Sequence, residues 1–186
     1  DINGNLFDPF EGKKDLENGK VIFVGDEEKR IQEDYLRILR YLRFFSNYSR
    51  VEHDIITLRN IKKNLNGVSK VSSERMLDEI KKIFISQSLY QLCLNRDSFE
   101  LLQLIFPQFK NLEKIKRLNP LAKEKLKDID FIFLLGLLTI DETDNLDYFL
   151  FKYNISKKDQ KRLINIKSFF YSKKDTFKIN FQSLWK

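Results

Sequence analysis

Two grammars divide the chain. From about residue 27 onward apolar residues recur at helical spacing, whereas before it they come in short runs cut by glycine. The spacing predicts a long helix over 29–47, with Ile31, Tyr35, Ile38, Leu39, Leu42 and Phe45 forming its apolar stripe. A second helix fits 53–65, closed by Asn66-Gly67. Ser72 or Ser73 caps a third that runs through Ile85, with Glu74 or Glu79 in support. Shorter helices are predicted at 87–95 and 98–105, stopped by Pro107, and then at 110–117, 121–139, 144–153 and 156–172. The segment from Lys173 to Lys186 receives no assignment.

Four of the six glycines (Gly4, Gly12, Gly19 and Gly25) fall in the first 25 residues, beside short runs such as VIFV. That pattern predicts two or three short strands with turns, the edge of a sheet whose other strands lie upstream. The fold class expected is mainly α: a multi-helix array preceded by a short strand-and-turn remnant.

Charge sharpens the division. Residues 1–28 hold three lysines against eight acids, so that of the formal charge of +7 the remainder carries +12. A basic body favours a polyanionic partner such as RNA, and serves solubility equally well. A single cysteine, Cys93, excludes an internal disulfide or a multi-cysteine metal site and reads as a core residue, and a single histidine, His53, predicts a surface or capping position at a helix start. No signal peptide opens the chain, and the most apolar run, FIFLLGLLTI at 131–140, is too short to cross a bilayer. A cytoplasmic setting is expected. The opening DINGN, without an initiator methionine, suggests a fragment, a processed product or a trimmed piece.

The stretch RIQEDYLRILRYLRFF (30–45) carries the chemistry. On one continuous helix, Arg30, Asp34, Arg37, Tyr41 and Phe44 form a second stripe beside the apolar one, with Glu33 and Arg40 flanking it. An Asp34–Arg37 ion pair on a solvated face would contribute only about 0.2–0.5 kcal/mol. The two rings on that face point instead to a partly enclosed surface. Aspartate only accepts and arginine only donates, so together they present an acceptor–donor edge. Cytosine and adenine match that edge, each offering an amino group to the Asp and a ring nitrogen to the Arg. Uracil and guanine oppose it with a carbonyl and an N–H, at a cost of about 1–3 kcal/mol per base.

These residues resemble motif D of class II CCA-adding tRNA nucleotidyltransferases and the related bacterial poly(A) polymerases, whose core is EDxxR. Upstream, NLFDPFEGKKDL is similar to the family's Asp-Pro-Phe-x-Gly-x-x-Asp-Leu segment, and downstream VSSERMLDEIKKIF resembles its motif E. The resemblance implies that Asp34 and Arg37 template the incoming CTP or ATP base, that Glu33 orients the pair, and that Arg40 faces the triphosphate or supports the helix. It implies that Glu74, Arg75 and Glu79 of motif E brace the 29–47 helix rather than touch substrate. It divides the chain into the end of a catalytic head (1–27), a neck with the nucleotide-recognition helices (28–108) and a tRNA-contacting helical body (109–186).

The family's head carries a Gly-Gly-x-x-Arg-Asp element, an Asp-x-Asp pair that holds magnesium, and a segment ending Thr-Ile-Asn-Ala. None of these occurs here, so no residue of this chain is assigned to catalysis or to a metal, and the polypeptide alone is expected to be inactive. Magnesium is expected only in the complete enzyme, and the expected partners are CTP, ATP and a tRNA or other RNA 3′ end, possibly with a separate chain carrying the head. Three readings stay open: a CCA-adding enzyme part, the same part of a poly(A) polymerase, or a non-catalytic helical remnant that binds RNA or a partner. Asp128-x-Asp130 copies the letters of a metal pair, but it is expected inside a helix, where the two side chains diverge. DETDNLD at 141–147 lacks the glycine and glutamate of a calcium loop and is expected to cap a helix.

Overall fold

The computed structural model describes residues 7–85 and 88–172, and these divide at Val71/Ser72 into two compact units. Among the described residues there are helices and no strand. The mainly α expectation holds, and the strands expected before residue 25 do not form, those at residues 1–6 lying outside the described residues.

In the first unit, Asp8 starts a short helix where strand grammar predicted an edge. Its carboxylate accepts the backbone N–H of Gly12 and Lys13, both at 2.8 Å, which satisfies donors at the start of α1 (Gly12–Glu17). Those two bonds hold the Asp8 carboxyl below its usual range, Lys13 first and Gly12 next. Residues 20–24 stay outside regular structure because no partner strand lies among the described residues. They are instead anchored at both ends of the run: Phe23 stacks on Tyr41 at 5.2 Å, and the Gly19 carbonyl accepts from Arg50 N at 2.9 Å and from Ser49 Oγ at 3.2 Å. Gly19 has a φ of 63°, and a Cβ there would meet Arg50 at 2.6 Å, so glycine is required twice over.

Next come α2 (Glu27–Glu33), α3 (Arg37–Tyr48) and α4 (Ile55–Asn64), followed by a 3-10 segment, Leu65–Lys70. The single helix expected at 29–47 is therefore two. Asp26 caps α2 by accepting from Lys29 N, and Asp54 caps α4 by accepting from Ile56 N and Thr57 N. The face of α2 that meets α4 is polar: Glu27 accepts from Thr57 Oγ1 at 2.7 Å and Asn60 Nδ2 at 3.0 Å, and Glu28 pairs with Lys63 at 2.6 Å. Ile31, Leu36, Ile38, Leu39, Leu42 and Phe45 are buried. Tyr35, expected on that stripe, is only half-buried, and Leu36 takes its place.

Tyr41 and His53 also depart from expectation by being buried. The Tyr41 hydroxyl lies 2.8 Å from His53 Nδ1, and the His53 ring stacks on Phe45 at 3.5 Å. Burial drives the Tyr41 phenol well above its ordinary range, with Glu27 and Asp54 adding to the effect. A polar tip that finds a partner lets both rings enter the core.

The second unit is built around rings. Its helices are α5 (Ser73–Ile85), α6 (Ser88–Leu94), α7 (Arg96–Ile105), α8 (Leu112–Lys116), α9 (Pro120–Lys125), α10 (Phe131–Thr139), α11 (Asn145–Tyr153) and α12 (Lys157–Ser172). Phe84, Phe106, Phe109, Phe149 and Tyr153 form a continuous chain of ring contacts, with centroids 4.5–6.3 Å apart. Two asparagines tie the loops to this core. Asn111 Nδ2 donates to Leu137 O and Ile140 O, satisfying carbonyls at the end of α10. Buried Asn145 donates from Nδ2 to Gln108 O and Thr139 O, both at 2.7 Å. Cys93 is wholly buried, as expected, and burial pushes its thiol up to about 12.

The helix expected at 121–139 is interrupted. After α9, residues Leu126–Asp128 form a 3-10 turn, and Asp130 restarts the chain as the cap of α10 by accepting from Phe133 N. Asp130 also pairs with Arg162 at 2.7 Å. Asp128-x-Asp130 is thus a helix junction, with one carboxylate committed to capping. In the 141–147 run, Asp141 accepts from Thr143 Oγ1 and from Thr143 N, a local turn before α11.

Candidate nucleotide-recognition turn

The break between α2 and α3 falls on the residues that carry the candidate chemistry. Asp34 leaves the helix with φ −156° and ψ 100°, and its Oδ1 accepts the Leu36 N–H at 3.2 Å. Its carbonyl accepts the Arg37 N–H at 3.0 Å, closing a four-residue turn over Tyr35 and Leu36. An aspartate side chain that bonds the backbone two residues on competes with helix, which explains the interruption. Asp34 and Arg37 therefore stand at the two ends of a turn, close together for a reason other than helical periodicity.

Arg37 takes Glu33 as an acidic partner. Its Nη1 donates to Glu33 Oε2 at 2.6 Å and to the Arg30 carbonyl at 2.5 Å. The second bond satisfies one of the last carbonyls of α2, so Arg37 stitches the two helices together. Arg30 Nη1 donates to the same Glu33 oxygen at 2.7 Å. Glu33 thus sits between two guanidinium groups; the hydrogen bond from Arg37 holds its carboxyl below the usual range, and the charge of Arg30 acts in the same direction. Arg30, Glu33 and Arg37 form one cluster, whereas Tyr41, expected beside them, has gone to the core. Arg40 is exposed one turn further along α3.

One residue that sequence reasoning assigned only to helix closure supports this turn. Gly67 lies in the 3-10 segment and is buried, and a Cβ there would fall 2.0 Å from the Tyr35 ring. The ring at the centre of the turn rests directly on Gly67 backbone. Lys70 Nζ lies 5.7 Å from the centroid of the same ring. No spacing in the sequence signals this contact, which joins residues 32 positions apart.

The motif E residues lie on α5 in the second unit. Glu74 and Arg75 are exposed, and Glu79 is buried with Lys82 Nζ 3.7 Å from its carboxylate. Among the described residues no group of three or more His, Cys, Asp or Glu side chains could hold a metal ion. No described helix is long and apolar enough to cross a membrane.

Comparison with known proteins gives the class first. Residues 54–113, from the cap of α4 into α8, match the family model described as "Probable RNA and SrmB- binding site of polymerase A". The chain is also 47 % identical over 96 residues to the human "CCA tRNA nucleotidyltransferase 1, mitochondrial", a match covering 49 % of this chain and 21 % of that protein. It is 33 % identical over 147 residues to the "CCA-adding enzyme" of Staphylococcus haemolyticus, covering 77 % of this chain and 34 % of the relative. With the "CCA-adding enzyme" of Lactobacillus johnsonii it shares 31 % identity over 176 residues, 91 % of this chain and 42 % of that protein. The chain belongs to the family of CCA-adding enzymes and poly(A) polymerases. It spans between about a fifth and two-fifths of the length of these relatives.

Proposed function

We propose that this chain is the nucleotide-selecting and RNA-binding part of a tRNA nucleotidyltransferase that adds CCA to tRNA 3′ ends from CTP and ATP. The observation that supports this reading best is the turn at Asp34–Arg37, with Arg37 fixed from one side. Its Nη1 is committed to Glu33 and Arg30, which leaves Nη2 and Nε as the donors to aim at a base. A guanidinium held in place loses less freedom on binding, so discrimination between base edges becomes sharper. The Asp34 carboxylate receives the amino group of cytosine or adenine, and Arg37 donates to the adjacent ring nitrogen. A carbonyl facing Asp34, as uracil or guanine would place it, puts two acceptors together and is rejected.

Glu33 orients Arg37, and Arg40 extends donors along α3 toward the triphosphate. Glu74, Arg75 and Glu79 are assigned to support of the fold. Transfer of the nucleotide would need metal-binding carboxylates from a catalytic head, on the same or a separate chain. The second reading, the equivalent part of a poly(A) polymerase, draws on the description of the family model.

Titration of the chain with each of the four ribonucleoside triphosphates, followed by amide chemical shifts of residues 33–40, tests the proposal. CTP and ATP should perturb these signals and UTP and GTP should not, with selectivity gone in Arg37→Ala. Equal responses to all four nucleotides in the unaltered chain would sink it. Incorporation of both C and A by the assembled enzyme, rather than A alone, separates the first reading from the second.

A further inference from the structure

The helix that begins at the recognition turn continues with an unusual outer face. α3 (RILRYLRFFSNY) contains three arginines and no carboxylate. Its buried side takes Ile38, Leu39, Tyr41, Leu42 and Phe45. On the opposite side Arg40, Phe44 and Tyr48 follow one another at i, i+4 and i+8, all exposed, and with Arg37 they fall within about 80° on an ideal helix. Phe44 and Tyr48 are 40 % and 51 % exposed. Their rings lie 6.1 Å apart at an angle of 34°, and Arg43 sets its guanidinium 4.3 Å from the Phe44 centroid. Two neighbouring rings left in solvent on an acid-free arginine helix are costly for an inert surface and well suited to a polyanion that also offers flat apolar faces.

Resting on the function proposed above, we propose that the Arg40–Phe44–Tyr48 face of α3 is a stacking platform for unpaired nucleotides of an RNA strand. Arg43 attracts the strand's phosphates, Phe44 and Tyr48 take the bases, and Arg40, directed to the triphosphate above, marks the end of the platform nearest Arg37. Rings can stack only on bases freed from a duplex, so the occupant is single-stranded RNA and not a paired stem. The platform begins one turn beyond Arg37, so a strand lying on it would lead its end toward the residues that select the nucleotide.

The probe is a 5′-labelled single-stranded oligoribonucleotide ending in CCA, titrated with the whole chain and followed by fluorescence anisotropy, beside the same strand annealed to its complement. Phe44→Ala and Tyr48→Ala should each weaken single-strand binding about tenfold and leave duplex binding unchanged. Tyr48→Phe should bind as the unaltered chain does, as should Phe151→Ala, which removes an exposed ring on α11. Photo-crosslinking of a 4-thiouridine-containing strand should map to the peptide that holds residues 44–48. If the unaltered chain binds the strand while both alanine variants bind equally well and crosslinks map elsewhere, the platform is wrong and the RNA-binding reading stands. If the unaltered chain binds no RNA at any salt concentration, both fall. A ring pair that proves to hold a protein instead would show itself as ring-dependent binding to that protein with no effect on RNA, and would overturn the proposal.

Discussion

The two units are held by different means. In the second, large apolar side chains fill the interior, and buried Asn145 with half-buried Asn111 ties the loops to it. In the first, the helix that matters most is broken, and the break is held by a carboxylate, two guanidinium groups and a ring lying on a glycine. Those bonds join partly exposed groups, and what they fix is the direction of Arg37. A ring core tolerates only small losses of volume, whereas a charged turn tolerates losses of energy and no change of geometry.

The comparison is broken most forcefully at Phe149, which is fully buried and touches both Phe109 and Tyr153. Phe149→Ala should cost about 3–5 kcal/mol, read as a fall in the urea midpoint of the helical signal. Alkylation of Cys93 gives a second readout: the thiol is buried and raised to about 12, so it should react only when the second unit opens, and far faster in this variant. Asn145→Ala comes next, at about 2–3 kcal/mol, because it leaves the Gln108 and Thr139 carbonyls without the donor they share.

On the other side of the comparison, Gly67→Ala should cost about 1–3 kcal/mol by forcing the Tyr35 ring off its seat. A double-mutant cycle with Tyr35→Ala should show strong coupling, since removing the ring removes the clash. If the turn selects nucleotides as proposed, the harm to selection should exceed the harm to stability. Arg37→Ala should cost only about 1 kcal/mol, the value of its bond to the α2 carbonyl, while abolishing the preference for CTP and ATP.

The smallest effect is one of pH. Glu33 has its carboxyl lowered by Arg37 and Arg30, so its contribution is fully present above the ordinary glutamate value of about 4.3 and is lost as pH falls through its depressed value in the folded chain. Nucleotide selectivity should therefore decline below that value before the helical signal does, and Glu33→Gln should show a reduced selectivity that is flat across the same interval.

Much of the fold was legible in periodicity because helices such as α3, α5 and α7 bury one face each, and that face recurs in the residue order. The breaks were not. At Asp34 and at Asp130 a side chain competes with the backbone for a hydrogen bond, and a hydrophobic pattern that continues through the break conceals it. The strand-like runs near Val21–Val24 misled for the opposite reason: local composition favours extended backbone, yet a strand requires a partner, and none lies among the described residues. The candidate site was legible as a pair of residue types at a spacing. Its supports were not, because Gly67 under Tyr35 and the Arg30 carbonyl under Arg37 are facts of tertiary packing that leave no trace in any window of sequence.

Arg37 holds the end of one helix with one nitrogen and, in the proposed reading, offers its others to a base. In that reading a substitution that redirects base choice must also replace a structural bond, and lysine, whose three donors sit on one nitrogen instead of in a planar fork, is poorly shaped to divide itself between the two tasks. Changes of nucleotide preference in this lineage would then be reached more readily by moving the turn than by replacing the arginine. The positions through which the turn can be moved are those beneath it, at the seat of Tyr35 and along the polar seam between α2 and α4.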